Sequence, residues 1–267
     1  MCLILFALGQ SEDFPLIVLA NRDEFYARPT RAAHWWHDHP GVFGGRDLQA
    51  YGAWMGVNRQ GRFAAVTNVR EPDKKPVGKL SRGGLPRAFL TGTAAPADFL
   101  AAIEKQADEY AGFNLLVGDS SELWFYSNRQ TGIRKIEPGI YGVSNGRFDQ
   151  AWPKVSSGKL ALKQALEKHI EDDALIGIMS NEQRAADELL PSTGVPLEKE
   201  RLLSSRFIKS ADYGTRASSV VKYSSEHTIH FTEQNYDPVT DSKTFIYEQF
   251  RFTPPLQSTN FSSMVSN

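Results

Sequence analysis

The sequence predicts an α+β fold in which two antiparallel sheets are covered by helices. Two observations lead to this prediction. Apolar runs of strand length occur in groups, in the order strands, helices, strands, helices, strands. Such grouping favours separate layers of helices and antiparallel sheets over a parallel sheet. The chain has 267 residues, 41% of them hydrophobic, which is enough for one large core, so we expect one domain over residues 1–252.

The first two strands are predicted to form a hairpin. Cys2–Leu8 is a continuous apolar run, which is typical of a strand buried on both faces. Residues 9–15 have turn composition, and Leu16–Ala20 follows as a second buried strand. This second strand ends at the polar tetrapeptide Asn21-Arg22-Asp23-Glu24.

The remaining elements follow in groups. Helices are predicted over residues 81–90, 96–110, 160–170 and 181–190, largely from apolar residues at helical spacing. Strands are predicted over residues 53–58, 63–68, 113–117, 123–127, 133–136, 140–144, 217–223, 228–232 and 244–252. We expect a long loop over residues 71–79 and a flexible tail over residues 253–267, which are rich in Ser and Asn.

Composition argues against several classes of function. The 30 basic and 31 acidic residues give a formal net charge of −1, so we expect no nucleic-acid partner. A single cysteine rules out an internal disulfide. No stretch reaches the roughly 18–20 apolar residues that span a bilayer, and the N-terminus lacks the basic start and cleavage site of a secretory signal. We therefore expect a cytoplasmic protein without stable membrane insertion.

Cys2 is the first candidate catalytic residue. If Met1 is removed, Cys2 carries a thiol and a free α-amine, whose reference pKa is about 7.7. Much of that amine is an unprotonated base near neutral pH, so one residue can be both nucleophile and proton acceptor. The alternative is an inert thiol buried at the edge of an apolar strand, since cysteine is often buried.

The polar tetrapeptide supplies candidate partners for Cys2. Antiparallel pairing places the end of the second strand beside the start of the first. Asp23 can then orient the α-amine, and Arg22 can lower the pKa of the thiol or bind a carboxylate. The alternative is a solvated strand end with ordinary surface charges.

A set of short motifs extends over the chain as far as about Phe252. They are Met1-Cys2, Ala20-Asn21-Arg22-Asp23-Glu24-Phe25, Arg28-Pro29, Gly44-Gly45-Arg46-Asp47, Trp54-Met55-Gly56-Val57-Asn58, Thr67-Asn68-Val69-Arg70, Tyr141-Gly142-Val143-Ser144-Asn145 and Thr215-Arg216-Ala217-Ser218-Ser219. Together they resemble the NRDE family, which includes the transport and Golgi organization protein 2 homologues. The resemblance implies an N-terminal-nucleophile fold, a four-layer αββα sandwich similar to penicillin acylases and bile salt hydrolases.

The resemblance also implies roles for individual residues. Cys2 would attack a carbonyl carbon, and Asp23 would hold the α-amine. Asn68 would donate a hydrogen bond to the oxyanion. Asn145 and Arg216 match the remaining polar positions of such sites, and no cofactor is expected.

Two functions are compatible with the resemblance. One is an N-terminal-cysteine amidohydrolase that acts on linear non-peptide amide bonds. The other is a non-catalytic carrier or chaperone for haem or for lipid or acyl-CoA ligands. The hydrolases have an arginine three residues before the aspartate, whereas here Ala20 lies there and Arg22 adjoins Asp23; this order favours the carrier. The completeness of the polar set around Cys2 favours the enzyme.

Three histidines form a weaker signal. His34, His37 and His39 lie close together beside two tryptophans, and imidazoles of this kind can bind a transition metal or haem iron. Their spacing matches no standard zinc pattern, so we expect a packed aromatic loop and no metal site. The glycine-rich segments 44–47 and 81–84 lack a phosphate-loop signature and are expected to be turns.

Overall fold

The strands and helices are grouped along the chain in the predicted order. The computed structural model describes residues 2–72, 79–119, 121–168 and 171–253. Its elements are β1 (Cys2–Leu8), β2 (Leu16–Phe25), β3 (Thr30–Trp35), β4 (Val42–Asp47), β5 (Met55–Asn58), β6 (Phe63–Asn68), α1 (Gly84–Thr91), α2 (Pro96–Glu104), β7 (Phe113–Gly118), β8 (Leu123–Ser127), β9 (Arg134–Lys135), β10 (Gly139–Val143), α3 (Pro153–Leu166), α4 (Asp172–Met179), α5 (Leu197–Leu203), β11 (Tyr213–Tyr223), β12 (Thr228–Tyr236) and β13 (Lys243–Arg251).

The named strands form two sheets, and neighbouring strands in both are antiparallel. One sheet has the order β10-β1-β2-β11-β12-β13, and the other runs from β3 to β9 in sequence order. Helices α3 and α4 pack on the outer face of the first sheet, and α1 and α2 pack on the outer face of the second. The predicted αββα sandwich is confirmed.

The continuous apolar run of β1 is explained by burial on both of its faces. Because side chains alternate along a strand, Ile4 and Phe6 point into the core between the sheets. Leu3 and Leu5 point the other way, into the core beneath α3 and α4. A strand between two apolar layers has no solvated face, so every position of β1 favours an apolar side chain.

Phe6 offers a test of the central core. Its ring is fully buried between the sheets, with its centroid 5.4 Å from that of Tyr141. We expect Phe6→Ala to lower the free energy of unfolding by about 3–5 kcal/mol, because a buried ring is replaced by a cavity. Urea unfolding followed by circular dichroism measures this change. Val239→Ala is the control, since Val239 is 90% exposed and should change stability little; equal effects of the two substitutions would contradict the assignment of Phe6 to the core.

The predicted helix over residues 181–190 is wrong. This segment is irregular apart from one turn of 3-10 helix, Asp187–Leu189. Its backbone is held from outside: Asn181 O accepts a hydrogen bond from Phe207 N at 2.9 Å, and Ala185 N donates to Ser204 Oγ at 3.0 Å. These tertiary hydrogen bonds replace helical ones, so good helix formers do not form a helix here.

The prediction that residues 44–47 form a turn is also wrong, since they belong to β4. The glycines there permit close packing. A Cβ atom on Gly45 would collide with the ring of Trp54. Glycine within a strand often marks such a close approach. The expected loop around His34 also begins as a strand, β3, although its tryptophans are packed as predicted: Trp36 is fully buried.

Other boundaries differ by several residues, and two helices were not predicted. Helix α1 begins at Gly84, α2 ends at Glu104, and α3 begins at Pro153; α4 and α5 are additional. Residues 73–78 of the predicted loop, residues 169–170 of the predicted third helix and residues 254–267 of the predicted tail lie outside the described residues. Within the described ranges, no helix combines the length and hydropathy needed to cross a membrane.

Candidate active site

Strand register brings Cys2 and the polar tetrapeptide together. Cys2 on β1 lies opposite Arg22 on β2, which confirms the predicted hairpin geometry. On the other side of β2, Asp23 lies opposite Thr215 of β11. The β2–β11 register shifts between Thr215 and Ala217, so Arg216 is the extra residue of a bulge. The start of β1 and the end of β2 therefore form one polar edge of the first sheet.

An open cleft of about 130 Å³ lies at this edge. Cys2, Arg22 and Asp23 line it from the first sheet, Trp54 and Asn68 line it from the side of the second sheet, and Arg82 lines it from the segment before α1. Of the six residues predicted for the site, four therefore contribute directly to the cleft wall. The two sheets meet there, which makes the cleft the natural candidate for a binding or catalytic site.

Asp23 is a buried carboxylate with an oriented side chain. It is 1% exposed, and its Oδ1 accepts a hydrogen bond from Thr215 Oγ1 at 2.7 Å. Burial raises its pKa above the ordinary value, and the positive charge of Lys154 acts in the opposite direction. The charge of Asp23 thus depends on nearby cations.

Burial also raises the pKa of the Cys2 thiol, while the Asp23 backbone N–H and the charge of Arg22 lower it. Burial is the largest of these effects, so the thiol is mostly protonated near neutral pH. A reaction at this sulfur therefore needs a base that removes its proton. A free α-amine on the same residue would meet that need.

Arg22 is held rigidly beside Cys2. Its side chain is 4% exposed, Nη1 donates to Thr30 Oγ1 at 2.9 Å, and the guanidinium lies 4.3 Å from the ring centroid of Trp54. Arg22 Nη2 is 3.8 Å from Asp47, whose carboxylate also accepts a bond of 2.6 Å from Arg28 Nε. Arg22 is a fixed positive charge in the cleft wall rather than a mobile surface arginine.

The two predicted asparagines are linked to each other. Asn145 Nδ2 donates to the backbone O of Asn68 at 2.9 Å, which fixes the end of β6 beside the segment after β10. Ser144 Oγ donates to the backbone O of Cys2 at 3.2 Å. Asn114 Nδ2 adds a bond of 3.2 Å to Ser144 O. Asn68 lines the cleft, whereas Asn145 is buried behind it and orients Asn68.

The structure places the Arg216 side chain apart from the cleft. Its Nη1 donates to the backbone oxygens of Phe25, Tyr26 and Arg28, each at 3.1 Å. Arg216 is not among the residues that line the cleft of Cys2. Its observed contacts stabilise the connection between β2 and β3.

Sequence reasoning missed Lys154, at the start of α3. Lys154 is 2% exposed, and Nζ forms no hydrogen bond with a described residue. Burial lowers its pKa to about 8; Asp23 and Cys2 raise it, and Arg70 lowers it further. An ammonium group without hydrogen-bond partners is costly in a protein interior, which marks it as a candidate functional group. The sequence does not indicate that a lysine at the start of this helix lies near Asp23 and Cys2.

Arg82 was also missed. The segment 81–84 was expected to be a turn, and it does contain turn residues before α1 begins at Gly84. Arg82 Nη1 donates to Gly112 O at 3.0 Å, and the side chain lines the cleft opposite the first sheet. Its position between a serine and two glycines was the available signal, because such turns often present a side chain to a site.

The histidines do not converge. His34 lies in β3, and its Nδ1 is 2.7 Å from Ala32 O. His39 Nε2 is 3.9 Å from Asp38 Oδ2. Across the part of the chain that the structure describes, no three His, Cys, Asp or Glu side chains are grouped so that they could hold a metal ion.

The two antiparallel sheets between layers of helices have the architecture seen in N-terminal-nucleophile hydrolases. The fold is similar to that of a mutant conjugated bile acid hydrolase from Clostridium perfringens, with a TM-score of 0.53. The match covers 95% of this chain and 98% of that chain at 8% identity, so it concerns the fold alone.

Sequence comparison gives the family. The chain belongs to the Transport and Golgi organisation 2 family, whose model matches residues 1–238. It is 31% identical over 261 residues to the Transport and Golgi organization protein 2 homolog of Bos taurus, covering 88% of this chain and 93% of that protein. It is 28% identical over 280 residues to the Transport and Golgi organization 2 homolog of Mus musculus, covering 97% and 100%. The predicted family is confirmed.

Proposed function

We propose that the protein is an N-terminal-cysteine amidohydrolase that acts on linear non-peptide amide bonds in the cytoplasm. The observation that carries this proposal is the placement of Cys2 beside Arg22 and Asp23 at an open cleft. A thiol, a buried carboxylate and a fixed cation share one cleft, as a cysteine nucleophile with an oriented amine requires.

The proposed reaction begins with removal of Met1, which frees the α-amine of Cys2. The amine, held by the Asp23 carboxylate, takes the thiol proton, and the thiolate sulfur bonds to the amide carbonyl carbon. The oxyanion formed accepts a hydrogen bond from Asn68. The carbon–nitrogen bond breaks as the α-ammonium returns the proton to the leaving nitrogen. Water then attacks the thioester, giving the acid and restoring the thiol.

Mass spectrometry tests this proposal in two steps. The intact mass is expected to lack one methionine, because a retained Met1 blocks the amine. Incubation with a panel of N-acyl amides is then expected to release amine and to add the acyl mass to the peptide that contains Cys2. Recovery of intact amides with an unmodified Cys2, from protein shown to lack Met1, would contradict the proposal.

Asn68 is expected to contribute through the oxyanion. Asn68→Ala should lower kcat by about 10²–10³-fold with a small change in KM, since the hydrogen bond forms in the transition state. The control is Asn235→Ala, an asparagine of β12 that does not line this cleft. Steady-state kinetics of the two variants tests this role. If Asn68→Ala changed only KM, Asn68 would not be the donor to the oxyanion.

A carrier for haem or for lipid or acyl-CoA ligands is the second candidate. Two observations favour it: Ala20 lies where the hydrolases have an arginine, and the Arg216 side chain stabilises a strand connection instead of lining the cleft. Titration with haem and with fatty acyl-CoA, followed by recovery of the ligand, tests it. Saturable binding with unchanged ligand supports the carrier. Loss of haem binding on joint substitution of His34, His37 and His39 would identify those histidines as ligands.

A further inference from the structure

Three arginines line the cleft of Cys2, and Arg82 differs from the other two. Arg28 donates to Asp47 at 2.6 Å, and Arg22 lies 3.8 Å from the same carboxylate. Arg82 forms no ion pair with any described residue, and its one hydrogen bond there uses Nη1. A guanidinium has five N–H donors, so most of those of Arg82 are left for water or a ligand.

The carboxylates of the cleft do not neutralise Arg82. Asp47 accepts hydrogen bonds from Arg28 and from the backbone N–H groups of Gln49 and Ala50. Asp23 is directed toward Thr215. Glu24, which also lines the cleft, accepts a hydrogen bond from the Phe25 backbone N–H and lies 3.9 Å from Arg28 Nε. Among the described residues, none of these carboxylates forms an ion pair with Arg82, so no direct contact neutralises its charge.

The environment of Arg82 strengthens its attraction for an anion. Burial lowers its pKa, and the nearby Cys2 and Glu24 raise it, so the guanidinium is partly removed from water and lies within the electrostatic reach of the sulfur. Arginine stays protonated in proteins and binds carboxylates through two parallel hydrogen bonds. Because Arg82 and Cys2 line the same cleft, a carboxylate bound to Arg82 would lie in the same cleft as the sulfur.

We propose that Arg82 is a specificity-determining residue that binds a carboxylate of the substrate, so that the preferred substrates are amides that carry a carboxylate near the bond to be cleaved. The part of this inference that makes the bound carboxylate belong to a substrate rests on the proposed amidohydrolase function. Its physical content, anion recognition beside Cys2, does not depend on turnover.

Alkylation of Cys2, the only cysteine in the chain, tests anion recognition without an amide substrate. Iodoacetate carries a carboxylate and iodoacetamide does not, while both alkylate a thiol at the same kind of carbon. We expect the ratio of their rate constants at Cys2 to exceed that for glutathione by about tenfold, since a fixed charge raises the local concentration of an anion. In Arg82→Gln the ratio should lose most of this factor, and the part that remains belongs to Arg22 beside Cys2.

Two variants serve as controls. Arg82→Lys keeps the charge without the paired donors and should give an intermediate ratio. Arg251→Gln removes an exposed arginine at the end of β13 and should leave the ratio unchanged. An Arg82→Gln ratio equal to that of the unsubstituted protein would overturn the proposal. Failure of both reagents to reach Cys2 in the folded protein would also overturn it, because the thiol and Arg82 would not share an open cleft.

The outcome separates this proposal from the amidohydrolase proposal. An anion preference that is largely lost in Arg82→Gln, together with intact N-acyl amides, keeps the carboxylate site and rejects the hydrolase. Hydrolysis of neutral and carboxylate-bearing amides at equal rates, with no anion preference in alkylation, keeps the hydrolase and rejects the carboxylate site.

Discussion

Cys2→Ala is expected to abolish amide hydrolysis, with a fall of at least about 10³-fold in kcat, because no other group in the proposed mechanism can form the acyl intermediate. Amine release measured by mass spectrometry gives the rate. The substitution should change the free energy of unfolding by less than about 1 kcal/mol, since it removes one sulfur atom at the rim of a cleft.

The same variant distinguishes the two candidate functions. A carrier does not need a nucleophile, so Cys2→Ala should bind haem or acyl-CoA as the unsubstituted protein does if carriage is the function. Hydrolysis at the normal rate by Cys2→Ala protein would show that the nucleophile lies elsewhere. Loss of both activity and folded structure would instead assign Cys2 to the core.

Lys154→Met is expected to shift the acidic limb of the activity profile to higher pH. Burial raises the pKa of Asp23, and the charge of Lys154 is the first effect that opposes this rise. Without that charge, Asp23 is protonated up to a higher pH and holds the α-amine only above it. The dependence of kcat/KM on pH measures the shift. Lys154→Arg keeps the charge and should retain the original limb; equal profiles for the Met variant and the unsubstituted protein would contradict the role.

Stability gives a second readout for Lys154 that does not require activity. Its pKa is about 8 in the folded protein against 10.5 for an ordinary lysine. Between these values the unfolded chain binds more protons than the folded one, so the free energy of unfolding rises with pH there. The expected gain from Lys154 is roughly 3 kcal/mol over this range. Urea unfolding at pH 8 and at pH 10.5 measures the gain, and the part that belongs to Lys154 should be missing from Lys154→Met.

Much of the fold could be predicted from local patterns in the sequence. The apolar runs of β1 and β2 were identified because burial on both faces leaves no polar position, and their pairing followed from the short turn between them. Residues 181–190 could not be assigned correctly, since their backbone hydrogen bonds go to the segment near Phe207. The glycines of β4 were predicted to form a turn, because glycine is common in turns. Their role in the structure is close packing against Trp54, a residue outside the segment, and a local pattern does not show that contact.

The amino-acid sequence by itself determined that Cys2, Arg22 and Asp23 are neighbours, since a hairpin fixes the register of two adjacent strands through local geometry. Only the tertiary structure decided which charges surround them. Lys154 acts electrostatically on Asp23 because α3 packs on the first sheet, and Arg82 lines the cleft from the side opposite that sheet. Arg216 is directed toward the β2–β3 connection by a bulge in β11. Electrostatic interactions depend on distance in space, and the distances between layers are set by packing of the whole sandwich.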